Sequence, residues 1–170
     1  EVHSRGALAR DLIFGTDGTN SLTKRANFHG MDLERPHVVA LITRARTGRR
    51  RPPSARRLAL ALRKQDPALQ SCVSSVKDGV AAIVEVPGDL ASRQMVASAK
   101  ERLSKASDEA GSGGVSISIS TVCRGVDAFG GAYEQACQVS KCASDLSSDD
   151  APLLAADDLG AGRLLLAAPD

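Results

Sequence analysis

Apolar residues recur along the chain in two rhythms, one near 3.6 residues and one of two, and their alternation divides it into elements. Residues 5–14 set Ala7, Leu8, Leu12 and Ile13 among small and polar positions and stop at Gly15, the pattern of a short helix. A polar break over 16–20 precedes a second helix, capped by Asn20 or Ser21 and stopped by Gly30, with Leu22, Ala26 and Phe28 or His29 inward. These helices have too few apolar positions to form a core alone, so residues 1–30 read as a helical lead-in. Val38 to Ile42 are five consecutive apolar residues, which fits a central strand covered on both faces. Leu58, Ala61, Leu62 and Gln65 then give helical spacing from Ser54 to the residue before Pro67. The β-prone runs 70–76 and 80–86 flank Lys77-Asp78-Gly79, a hairpin signal because Asp and Gly tolerate positive φ.

Asp89 is placed to cap a helix running to Ala110, whose inward face reads Val96, Ala99, Leu103, Ala106 and Ala110. Gly111-Ser112-Gly113-Gly114 stops it, and Val115 to Ser120 alternates strictly, predicting a strand with Ser116, Ser118 and Ser120 on an exposed polar face. A helix capped near Asp127 follows, with Phe129, Ala132, Ala136, Val139, Ala143 and Leu146 on one side. After a polar break at 147–150, Pro152 to Ala156 predicts a short last strand, and Asp158 a cap for the apolar turn Leu164-Leu165-Leu166. The order βαββαβα plus a short terminal strand predicts an α+β fold: a ferredoxin-like antiparallel sheet with helices packed on one face, over residues 31–170.

Composition narrows the function classes. The chain has 170 residues, 42% hydrophobic and 25% charged, which suits one globular domain and excludes wholesale disorder. No apolar run approaches the ~18 residues of a membrane span, so no membrane partner is expected. With four aromatics and no Trp, a surface that stacks bases is disfavoured. Cys72, Cys123, Cys137 and Cys142 lack zinc-knuckle or redox spacing, and His3, His29 and His37 have no ligand set around them. We therefore expect free thiols in a reducing, cytoplasmic compartment, no metal and no cofactor. The first residues have neither a start Met nor a signal core and read as a cut within a longer chain.

The net charge of +2 conceals an asymmetry. Arg44, Arg46, Arg49, Arg50, Arg51, Arg56 and Arg57 cluster without an acid, whereas six Asp face Arg163 alone between Asp145 and Asp170. Arg49, Arg50 and Arg51 are the candidate anion-binding residues, weighed against a solvated loop broken by Gly48, Pro52 and Pro53. The acidic C-terminal part argues against direct DNA binding by this loop.

Three segments carry a family resemblance. Gly30-Met31-Asp32-Leu33-Glu34-Arg35-Pro36-His37-Val38-Val39-Ala40 resembles the opening strand of the GGDEF-like central domain of CdaR/PucR-type bacterial transcription regulators. Gly131-Ala132-Tyr133-Glu134-Gln135-Ala136 is similar to a second stretch of that domain, and Asp157-Asp158-Leu159-Gly160 with Arg163-Leu164-Leu165-Leu166 to its closing segment. The resemblance implies a nucleotidyl-cyclase-palm-like fold placed between an upstream sensor and a C-terminal helix-turn-helix, neither of which has a pattern here. Cyclase chemistry needs two carboxylates converging on divalent metal, one at the end of the first strand and one in the hairpin turn. The first strand runs out as Thr43-Arg44-Ala45-Arg46 and the turn offers Asp78 alone, so no catalytic residue is expected. The expectation is a non-catalytic signalling and dimerisation domain: a homodimer that meets DNA only through a helix-turn-helix outside this segment and answers a sensor or small-molecule effector. The alternative is a degenerate-cyclase domain that senses a ligand or nucleotide.

Overall fold

Val38 pairs with Val84, Ala40 with Ala82 and Ile42 with Val80 across an antiparallel ladder, and this register sorts the side chains of the whole sheet. The structure, a computed structural model, describes residues 2–15, 17–46, 51–111, 114–146 and 152–160. Five strands, β1 (His37–Arg44), β2 (Ser71–Val76), β3 (Gly79–Glu85), β4 (Val115–Ile119) and β5 (Leu153–Ala155), lie in the order β2-β3-β1-β4-β5. The first four pair antiparallel as expected, and β5 joins β4 in parallel. The α+β order read from the pattern is the one observed, with helices α1 (Val2–Phe14), α2 (Thr19–Phe28), α3 (Ala55–Gln65), α4 (Ser92–Glu109) and α5 (Phe129–Leu146).

The packing differs from the expectation in one respect: helices cover both faces of the sheet. Val38, Ala40, Ile42, Val73, Val80, Ala82, Val84, Ile117 and Ile119 meet Leu58 and Leu62 of α3 and Val96, Ala99, Leu103 and Ala106 of α4. Val39, Cys72, Ala81 and Ile83 face the other way, against Leu8, Leu12 and Ile13 of α1, Leu22 and Ala26 of α2, and Phe129 and Ala132 of α5. The cause is the crossover from β4 to the parallel β5, which needs an intervening helix; α5 closes over the face that α3 and α4 leave open. β1 is therefore apolar at consecutive positions because both of its faces are covered.

α1, the first of the two lead-in helices, packs into this fold. It packs along β2 and against α5, with Leu8, Ala9, Leu12 and Ile13 buried. A Cβ on Gly6 would stand 3.2 Å from the Val73 carbonyl oxygen, and one on Gly130 would stand 3.2 Å from the Ile13 carbonyl oxygen. Absent side chains at these two points let α1 settle onto both neighbours.

Three local readings are corrected. Gly18, not Asn20 or Ser21, is the N-cap of α2, and Phe28 points outward at 86% exposure. Ala91, not Asp89, precedes α4; the Gln94 side chain accepts a 3.4 Å hydrogen bond from the Ala91 N–H. The serines of β4 are buried beneath α5, so they present no open polar face. Asp158 accepts from the Ala155 N–H at 2.8 Å, and the turn at 164–166 that it is expected to cap lies outside the described residues. Ser54, where the helical spacing begins, caps α3 by accepting from the Arg57 N–H at 3.2 Å.

Candidate functional site: the cleft at the hairpin end of the sheet

The antiparallel register brings the end of β1 to the β2–β3 turn, Thr43 opposite Gly79, with Lys77 and Asp78 at the tip. The chain then leaves β1 through Arg44, and the buried Pro53 leads it into α3. Arg44, Arg51, Ser54, Ser75, Lys77 and Asp78 line an open cleft of about 400 Å³ at this end. A second hollow of about 420 Å³ adjoins it, between Arg51, Ser54 and Arg57 on one side and Ala110 and Gly111 on the other. Of the three candidate anion-binding residues, Arg51 is exposed at the cleft wall; Arg49 and Arg50 lie outside the described residues.

Among the described residues, three cations and one carboxylate line the cleft. Such a lining attracts phosphate or carboxylate, and Arg is suited to bidentate contact with either. It does not fit the divalent metal pair of a nucleotidyl cyclase. Arg44 stands where the strand-end carboxylate would be, and Asp78 shares its turn with Lys77. Among the described residues, no group of three or more His, Cys, Asp or Glu side chains is placed to hold a metal.

A second polar cluster, at the opposite end of the sheet, is one the sequence pattern did not announce. Glu85 is buried beside His37, its partner across the β1–β3 ladder. Its carboxylate accepts from the Gln70 N–H at 3.1 Å and from the Arg35 guanidinium at 3.1 Å. Arg102 of α4 donates to the Glu85 carbonyl oxygen at 2.9 Å, and burial lowers its pKa. Arg5 of α1 donates to the Gln70 side chain at 3.1 Å and to the His29 carbonyl at 2.8 Å. His37 is fully buried, stacks edge-on against Phe129 with ring centroids 5.6 Å apart, and places Nδ1 2.7 Å from the Arg35 carbonyl oxygen. That contact makes Nδ1–H the donor and leaves Nε2 as a buried acceptor without a partner. Burial holds the imidazole below its ordinary pKa, so it is neutral near neutral pH.

The recognisable segments of the sequence are thus largely structural. Asp32 Oδ1 accepts from the Glu34 N–H at 3.0 Å and forms the turn that delivers Arg35 to Glu85. Tyr133 stacks edge-on with Phe14, centroids 5.5 Å apart, and burial with a hydrogen bond to Cys137 pushes its pKa up to about 12. Asp158 anchors β5 to α4 through a 2.6 Å contact with Lys100. The four cysteines are free, and burial raises the Cys72 thiol to about 12 and the Cys123 thiol to about 11.

With this fold and cleft in view, the family follows. The sequence model of the GGDEF-like domain matches residues 14–142, most of the chain, and the chain belongs to that family. No curated protein matches it. Among solved structures, a regulator of polyketide synthase expression from Bifidobacterium adolescentis is similar, with a TM-score of 0.63 at 18% identity. The match covers 98% of this chain and 63% of that one, so the chain spans less than two thirds of its neighbour. No helix among the described residues is long and apolar enough to cross a membrane.

Proposed function

We propose that this chain is a non-catalytic signalling and dimerisation domain of a bacterial transcription regulator of the CdaR/PucR type. It relays a sensor or ligand state, in the cytoplasm, to a helix-turn-helix that meets the DNA. The observation that carries this reading is the altered cleft. The GGDEF-like fold is intact, yet the two positions where a cyclase converges carboxylates hold Arg44 and the Lys77-Asp78 pair. The solved neighbour, a regulator of expression, supports the same reading. A sheet braced on both faces moves as a unit, so reorientation of subunits is the natural way for such a domain to relay a state. Light scattering on size-exclusion eluate tests dimerisation: a mass of two chains is expected, and a strict monomer at high concentration refutes it. Incubation with Mg²⁺ or Mn²⁺ and GTP or ATP tests the absence of catalysis; cyclic or linked nucleotide product refutes that part.

A second reading, an anion or nucleotide sensor, is favoured by one observation: among the described residues, Arg44, Arg51 and Lys77 share the cleft with a single carboxylate. Calorimetry against nucleoside triphosphates and cyclic dinucleotides decides it. Heat that disappears in Arg51→Ala supports the sensor, and no heat at millimolar ligand removes it.

A further inference from the structure

α3 buries Leu58, Ala61 and Leu62 and turns Arg56, Arg57, Leu60 and Lys64 to the outside. No acid occurs in the helix, and none of Arg56, Arg57 and Lys64 forms an ion pair among the described residues. Arg56 and Arg57 also occupy the first turn, where the peptide dipoles already leave positive charge and stability favours Asp or Glu. A helix so charged departs from its own stability rules, as functional elements do. Leu60 stands among these cations at 47% exposure. Between α3 and α4 runs a groove of about 580 Å³, floored by Leu60, Ala61 and Ala110, with Arg57 and Lys64 on its rim. Residues 57, 60, 61 and 64 fall on one helical face, so the apolar floor and its cationic rim form a continuous strip.

We infer that this groove docks an acidic amphipathic helix of a partner protein. Its apolar side chains rest on Leu60 and Ala61, and its carboxylates meet Arg57 and Lys64. Helix-in-groove recognition works through apolar anchors spaced three and four residues apart, and the positive rim selects the sign of the flanking residues. The floor is wrong for nucleic acid: the phosphate backbone asks for a polar track, whereas Leu60, Ala61 and Ala110 are apolar; Glu109, at the α4 end of the lining, opposes any anion there and leaves the carboxylates to Arg57 and Lys64. The described aromatics that stack on bases elsewhere stand on the α1, α2 and α5 side of the sheet. The groove shares Arg57, Ala110 and Gly111 with the hollow beside the cleft but none of the hairpin-turn residues, and the inference does not require the chain to be a dimer.

The test is fluorescence polarisation of the whole chain with a set of labelled synthetic helical peptides. These carry Leu pairs at i and i+4 flanked by Glu; matched sets carry Lys for Glu or Ser for Leu, and duplex DNA serves as a further probe. The expected result is saturable binding of Glu peptides alone, weakened by salt and abolished by Leu60→Asp. Each of Arg57→Glu and Lys64→Glu is expected to weaken it about five-fold, the upper range for one exposed charge pair. Leu60 is exposed, so Leu60→Asp keeps the fold, and an unchanged circular dichroism melt verifies it. Lack of binding by every Glu peptide, equal binding of Lys peptides, indifference to Leu60→Asp, or binding of DNA instead would each overturn the inference. A monomeric mass with Glu-peptide binding intact would refute the dimer and leave the groove standing.

Discussion

At Gly79 any side chain would collide with the Ile42 carbonyl oxygen of β1, so the neighbouring strand imposes this glycine. We predict that Gly79→Ala lowers stability by about 2 kcal/mol, the scale of forced overpacking, read as a lower urea midpoint with unchanged slope. The Asp-Gly pair announced the hairpin correctly, although positive φ is not the reason: neither Asp78 nor Gly79 adopts it. His37 makes a second prediction. Burial lowers its folded pKa below the unfolded 6.5, so the unfolded chain binds the proton more readily. Its stabilising contribution is complete above that value and fades as pH falls through it. The facing charges are Glu85 and Arg35 at the sheet end and Asp32 in the preceding turn, of which the two acids oppose the lowering and Arg35 adds to it. The thermal midpoint should drop between pH 7.5 and 5.5 in the parent and respond less in His37→Gln; an equal response in both would assign the drop to other groups. Nothing in the spacing of the sequence marks His37 or Glu85 as neighbours, because strand register across 47 intervening positions brings them together.

Among the elements, β4 shows where patterning misleads. Its alternation of Val, Ile and Ser reads as one wet face, yet Ser116, Ser118 and Ser120 lie under α5. Two of them find partners: Ser116 donates to the Pro152 carbonyl at 3.4 Å, and Ser120 accepts from the Val39 N–H at 2.9 Å. Ser118 is fully buried and its hydroxyl has none. Ser118→Ala should therefore raise stability by about 1 kcal/mol, the cost of a buried unpaired hydroxyl, measured by chemical denaturation. A loss of stability would mean the hydroxyl does have a partner. By contrast, the inward faces of α3 and α4 and the buried run of β1 were legible, since helical spacing and strand length do not depend on what lies across the sheet. α1 was legible as a helix but not as part of the core. Its place depends on Gly6 and Gly130, whose value is a close approach between segments distant in sequence.

For the molecule as a whole, the legible part of the candidate site was its charge, not its shape. The Arg-rich stretch and the missing carboxylates are plain in the sequence, whereas the cleft exists only because the hairpin returns beside the end of β1. The two-sided sheet yields a further prediction. Cys72 lies under α1 with its thiol pushed up to about 12, which protects it from disulfide reagents. Removing residues 2–14 should expose it, so that mass spectrometry finds rapid labelling at Cys72; an unchanged rate would show that α1 is not its cover. The same helix has a mechanical meaning. α1 lies along an edge strand, held at Gly6 from one side and at Gly130 from the other, so it is fastened at two points like a strut. A pull along its axis loads the buried side chains of Leu8, Leu12 and Ile13 together, in shear, whereas a pull across it frees them one turn at a time. Force entering through α1 is therefore transmitted or dissipated according to its direction alone.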